Sequence, residues 1–181
     1  YEVFLNAVKL LAILLPLNSV VALNIYMYKS EIRQKEFAGN VVIISLFFFI
    51  FGSLILFFLK EQIAQFLAIP IELMAFLPIL VGIQVVYNLF NILNIIFEKS
   101  KLNAFGLLFN NILRLLGSIA TILICQNLEG YYARIIGEII GTGLISLSII
   151  YFIKDYIALK FNFNYSKLII FQGVSMILYT S

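Results

Sequence analysis

The sequence has no histidine and no tryptophan, a single cysteine, three prolines and few charges. Without histidine there is no histidine-based metal site, and no metal or cofactor is expected. Cys125, alone, permits no internal disulfide and says nothing about redox compartment. No nucleophile stands beside a base and no phosphate-binding glycine loop is present, so an enzyme is not expected. Nor is a nucleic-acid partner. Only 12% of residues are charged against 63% hydrophobic, and the mean hydropathy is +1.08. A soluble domain of 181 residues could not hide that much apolar surface.

What the chain has instead is long apolar runs. Five reach the roughly 20 residues that cross a bilayer at about 1.5 Å per residue. They cover about residues 3–26, 39–59, 73–97, 102–124 and 131–153, and a sixth begins near 167 and is cut off at 181. The runs are continuous, without strand alternation, so they predict helices. Lipid admits only helices or closed barrels. The expected class is an all-α polytopic membrane protein with five full transmembrane helices and the start of another. The chain begins at Tyr1 rather than Met and stops inside an apolar run. It is therefore expected to be a fragment of a longer protein, with one or more spans upstream.

Eight Lys and Arg residues fall in the odd-numbered connections and one, Lys60, in the even ones. The positive-inside rule then places the connections near 29–38, 98–101 and 154–167 in the cytoplasm. The last of these, "KDYIALKFNFNYSK", alternates Lys with Tyr156, Phe161, Phe163 and Tyr165, a composition suited to the membrane interface. The second run, with its "LFFFIFG", is expected to be the most lipid-exposed helix.

Three runs carry polar stripes at helical spacing. One holds Gln84, Tyr87, Asn88, Asn91, Asn94 and Glu98. Another holds Asn103, Gly106, Asn110, Arg114, Gly117, Ser118 and Thr121. The third holds Arg134, Glu138, Gly141, Thr142 and Ser146. Three such bands imply a shared interior. Asn94, Ser118 and Thr121 taken singly suit interhelical packing, and so does the Gly137–Gly141 spacing, which lets backbones approach. The charged members are harder to assign to packing. Arg114 lies about twelve residues from either end of its run, where insertion costs roughly 2.5–3.5 kcal/mol. Such residues face a cavity or a partner. Measured from the intervening turn, Arg114 is about 16 Å and Glu138 about 12 Å deep, so a pair across the helices is possible. The preferred reading leaves Arg114 free for an anion. Arg114, Arg134 and Lys9 then bias a partly hydrated cavity to positive charge. Arg offers a bidentate fork to phosphate, and Asn88, Asn91 and Asn110 can exchange hydrogen bonds with sugar hydroxyls. Glu138 is the charge partner or coupling group.

The segment "GYYARIIGEIIGTGLISLSIIYFIKDYIALKFNFNYSKLIIFQG" resembles the sixth span and following cytoplasmic loop of polysaccharide-biosynthesis flippases. These are the O-antigen and related translocases of the multidrug/oligosaccharidyl-lipid/polysaccharide exporter superfamily. "LNSVVALNIYMYKSE" resembles the end of their second span, and "NLFNILNIIFEKSKLNAFGLLFNNILRLLGSIATILI" their fourth and fifth. The resemblance implies two six-helix bundles around a central cavity, this chain being most of the first. It implies transport of undecaprenyl-diphosphate-linked oligosaccharide from the cytoplasmic to the outer leaflet of a bacterial or archaeal inner membrane. The products served would be O-antigen lipopolysaccharide, capsule or exopolysaccharide. By position, Arg114 and Arg134 would engage the diphosphate, with membrane lipids around them and glycosyltransferases and a polymerase as partners. Where many members have a proline near the start of the seventh span, this chain reads "FQGVSMILYTS", so no hinge carries over there. The competing readings are a peptidoglycan-precursor flippase, a multidrug or cation exporter of the same superfamily, and a membrane scaffold that transports nothing.

Overall fold

The computed structural model describes residues 2–29, 33–124 and 130–180. Cys125, most of the fourth connection and part of the first therefore lie outside the described residues. Among those described, the chain is all helical. Its elements are α1 (Glu2–Leu14), α2 (Val21–Tyr26), α3 (Gln34–Phe58), α4 (Lys60–Leu67), α5 (Phe76–Ile96), α6 (Ser100–Ile124), α7 (Gly130–Ile153) and α8 (Phe163–Thr180). Short 3₁₀ turns at Ile71–Ala75 and Lys154–Tyr156 lead into α5 and out of α7. Four helical stretches are long and apolar enough to cross a membrane: Gln34–Phe58, Ile71–Ile96, Ser100–Ile124 and Gly130–Tyr156.

The first run, expected as one helix over 3–26, is two. Pro16 supplies no backbone N–H and ends the α-helical ladder. Leu17 and Asn18 then turn left-handed, with φ of 55° and 47°. Asn18 N donates back to Ile13 O at 2.8 Å, and the chain restarts through tight turns in which Ser19 N reaches Pro16 O and Val21 N reaches Asn18 O. Asn tolerates this conformation, whereas Leu17 is strained by about 1 kcal/mol. The break is covered. The Leu17 carbonyl presses on Gly173 of α8, and Leu15 presses on Gly52 of α3. Ser19 Oγ and Ser45 Oγ share a hydrogen bond of 2.6 Å beside it, both buried.

Two apolar cores lie on either side of this level. One joins Leu23, Phe37, Val41, Leu93, Ile149 and Ile169 from α2, α3, α5, α7 and α8. The other joins Phe4, Val8, Leu56, Leu77, Val81 and Ile135 from α1, α3, α5 and α7. Burial of this apolar surface against neighbours, rather than helix propensity, holds the short pieces α2 and α4 in place.

The three basic connections meet at one end. Ala158 N donates to Lys35 O, and the Tyr156 ring stacks on Phe97 at 4.7 Å. Asn40, fully buried near the start of α3, clamps the returning segment. Its Nδ2 donates to Lys160 O at 2.7 Å, its Oδ1 accepts from Asn162 N at 2.8 Å, and Ser166 Oγ reaches the same oxygen. Gly39 lets the Ala158 carbonyl touch the α3 backbone. The expected interfacial segment is therefore half docked. Tyr156 and Tyr165 turn inward, while Phe161 and Phe163 stay exposed.

Exposure also differs from expectation. The least covered of the four long apolar helices is α6, 11% of whose apolar window is buried against 28% for α3. Helix α6 packs chiefly on α7, whereas α3 also receives α2, α5 and α8.

Candidate functional site

Helices α6 and α7 share the most extensive helix–helix contact among the described residues. Gly137 and Gly141 of α7 lie directly on the α6 backbone: an added Cβ at Gly137 would stand 2.6 Å from Ser118 N, and one at Gly141 2.9 Å from Arg114 Cα. Gly117 faces Gly137 from the other side. This close approach is what the Gly137–Gly141 spacing predicts. It brings the two charged positions to one level. Arg114 Nη2 lies 2.6 Å from Glu138 Oε1.

The expectation of an unengaged Arg114 is thus corrected. At 2.6 Å, removing either charge would strand the other in a half-buried site, so the pair forms. The partners are unequally covered: the Glu138 side chain is 12% exposed and that of Arg114 40%. A guanidinium has five N–H donors. Glu138 is the one ion-pair or hydrogen-bond partner of the Arg114 side chain among the described residues, so most of its fork remains unused. Glu138 also carries Thr142 through its backbone carbonyl, and Ser146 continues the same ladder to Thr142 O.

Around the pair the three stripes converge as their periodicity implies. Gln84 and Tyr87 from α5, Asn110 from α6, and Thr142 and Ser146 from α7 line one small cavity with Arg114 and Glu138; Leu5 and Val8 of α1 close it. Its volume is about 30 Å³. That is room for about one or two waters and for nothing larger.

From this cavity the α5 and α6 stripes continue toward the basic loops as a column of buried polar atoms. Among the described residues, Tyr87 Oη, Asn91 Oδ1, Asn103 Oδ1, Asn110 Oδ1 and both amide atoms of Asn94 are buried without a hydrogen-bond partner. Asn94 is completely buried and Asn110 nearly so. Each such atom that water does not reach costs about 1–3 kcal/mol, and Tyr87 and Asn110, on the cavity wall, are within reach of the water it has room for. Along α6 the column extends from Asn103 to Arg114, about 16 Å. The Glu98–Lys99 turn that joins the helices is closed by Lys99 N donating to Asn94 O, with Glu98 left-handed and exposed, off its stripe.

The other sequence candidates fall differently. Asn88 accepts from Gln84 Nε2 at 2.9 Å and lines no part of the cavity. Asn91 belongs to the column. Lys9 is exposed on α1 and outside the cavity, because the neighbouring Val8 and Ala7 take the inward face. Arg134, one turn before Glu138, is exposed and also outside the lining. The cationic cavity expected from three positive groups reduces to Arg114 with its carboxylate. Asn94, read as packing glue, bonds to no other side chain among the described residues, whereas Thr121 returns its hydroxyl to Gly117 O within its own helix. Sequence reasoning missed Ser19, Ser45 and Asn40. The small-residue triplet at 38–40 and the Pro16–Ser19 stretch were the available signals.

Set beside known proteins, the chain matches no family model, no curated protein and no solved structure.

Proposed function

We propose that the chain is a flippase that carries undecaprenyl-diphosphate-linked oligosaccharide across the membrane for surface polysaccharide synthesis. The observation that carries this reading is the column of partnerless buried amides ending at a half-exposed arginine. Packing alone would favour apolar residues there, since unsatisfied amides destabilise a helix interface. Glu138 holds the guanidinium in place, and the remaining N–H donors of Arg114 bind a diphosphate oxygen pair. The amides of Asn91, Asn94, Asn103 and Asn110 exchange hydrogen bonds with sugar hydroxyls. A cavity of about 30 Å³ does not admit such a substrate, so α5 and α6 part during the cycle. The two helices share far less contact than α6 and α7 do, and the Phe90 ring lies against Gly106 between them. The break at Pro16–Asn18 supplies a joint for alternating access. No covalent step is involved. A cation exporter fits less well, because the carboxylate it would use is already paired.

A static scaffold is the second reading, favoured by that same ion pair and by the glycine seam. Surface polysaccharide separates the two. Cells carrying Arg114→Ala at matched expression should lose it, whereas Arg134→Ala, outside the cavity lining, should keep most of it. Normal surface polysaccharide in Arg114→Ala sinks the transport reading.

A further inference from the structure

At the end away from the basic loops, α3 ends at Phe58 and α4 begins at Lys60, with Leu59 alone between them. The chain returns through Ala68, left-handed, and the 3₁₀ turn that carries Glu72. Between these pieces lies a groove of about 480 Å³, lined by Leu56, Phe57, Lys60, Glu72 and Pro78 among others. Pro78 also lines a second groove of about 600 Å³ between α3, α5 and α7, whose walls include Phe49, Gly82 and Gly143. The two grooves share Pro78 as a wall, the first with Lys60 and Glu72 on its lining and the second an apolar trough. From Phe57 to Phe49 the trough follows α3 for about 12 Å. An added Cβ at Gly143 would meet only Ile83, at 3.9 Å, so the trough is open there.

The mouth carries one cation and one anion. Lys60 and Glu72 are both exposed, and neither has an ion-pair partner among the described residues. Lys60 Nζ lies 5.9 Å over the Phe57 ring. Phe58 and Phe66, 76% and 87% exposed, flank the same end, as rings at headgroup level do. We propose that this groove binds a zwitterionic phospholipid with a primary ammonium, of the phosphatidylethanolamine type. Lys60 takes the phosphate, Glu72 accepts from the ammonium, and one acyl chain fills the trough. The charge pattern selects this occupant. A phosphatidylglycerol headgroup offers Glu72 no cation. A choline headgroup is cationic but has no N–H to donate. The inference rests on the membrane placement of the helices and stands apart from the transport reading.

The test is native mass spectrometry of the purified chain released from detergent with equal amounts of phosphatidylethanolamine, phosphatidylglycerol and phosphatidylcholine. The wild type should retain phosphatidylethanolamine about tenfold over either of the others, the worth of one charge-assisted hydrogen bond. Glu72→Gln should bring ethanolamine and glycerol lipids to parity, and Lys60→Gln should lower retention of both. Gly143→Leu should lower all three by filling the trough. Lys60 and Glu72 are exposed, so their variants keep the fold, which circular dichroism verifies. Equal retention by the wild type, preference for phosphatidylglycerol, or an unchanged preference in Glu72→Gln would each overturn the assignment.

Discussion

Replacing Gly137 by alanine adds one methyl group where the α6 backbone already stands. The new Cβ would lie 2.6 Å from Ser118 N and 2.7 Å from Gly117 C, against an ordinary contact of 3.4 Å or more. Neither neighbour is a flexible side-chain end, so the helices must part by about 1 Å, enough to forfeit a quarter to a half of the attraction at each contact. Overpacking of this kind costs about 1–3 kcal/mol. For a chain of this length that lowers the melting temperature by roughly 2–4 °C per kcal/mol, or several degrees in total. Gly143→Ala is the internal control. It lies on the same helix, meets only Ile83 at 3.9 Å, and gains up to about 1 kcal/mol of helix propensity. Thermal unfolding of the purified variants in one detergent makes the comparison. The reasoning is refuted if Gly137→Ala melts with or above Gly143→Ala. Gly141→Ala, whose Cβ would meet Arg114 Cα at 2.9 Å, should also displace Arg114 from Glu138. Its cost should therefore add incompletely to that of Gly137→Ala, because one separation of the seam relieves both.

Other outcomes follow from the same contacts. In a double-mutant cycle on Arg114→Met and Glu138→Gln, each single change should destabilise by about 1–3 kcal/mol, below the range for a fully buried pair because Arg114 is half exposed. The double variant should recover much of that loss, and additive losses would show that the pair contributes nothing. Asn40→Ala strands Lys160 O and Asn162 N and should cost about 2–4 kcal/mol. Limited proteolysis should then cut within residues 157–163 faster than in the wild type, and an unchanged digestion rate would contradict the clamp.

The helices were legible in the sequence because side-chain apolarity alone decides what lipid accepts. The convergence of Gln84, Asn110, Arg114, Glu138 and Thr142 was legible too, since spacing of three and four residues sets a face whatever the neighbours are. What escaped was backbone geometry. A hydropathy average over 3–26 is blind to Pro16, and no side-chain pattern announces that Leu17 and Asn18 turn left-handed. The fate of polar groups also escaped. Asn40, Asn88 and Asn94 are the same residue type on apolar helices. One became a threefold clamp on the returning segment, one bonded within its helix and one found no partner among the described residues. Only the position of the opposing chain distinguishes them. The ion pair stood between these cases: its two depths were calculable, but which partner Arg114 takes depended on how closely Gly137 and Gly141 draw α7 in.

The central claim is that buried polarity along α5 and α6 serves transport rather than packing. Asn94→Leu tests it most directly. Asn94 is fully buried with both amide atoms unbonded, so a leucine of similar size should leave the purified protein as stable as the wild type or more so by about 1–3 kcal/mol. The measurement is surface polysaccharide in cells whose sole copy carries this change, at matched membrane abundance. The account predicts a well-folded protein and a loss of surface polysaccharide. Normal polysaccharide from a stabilised Asn94→Leu protein would contradict it.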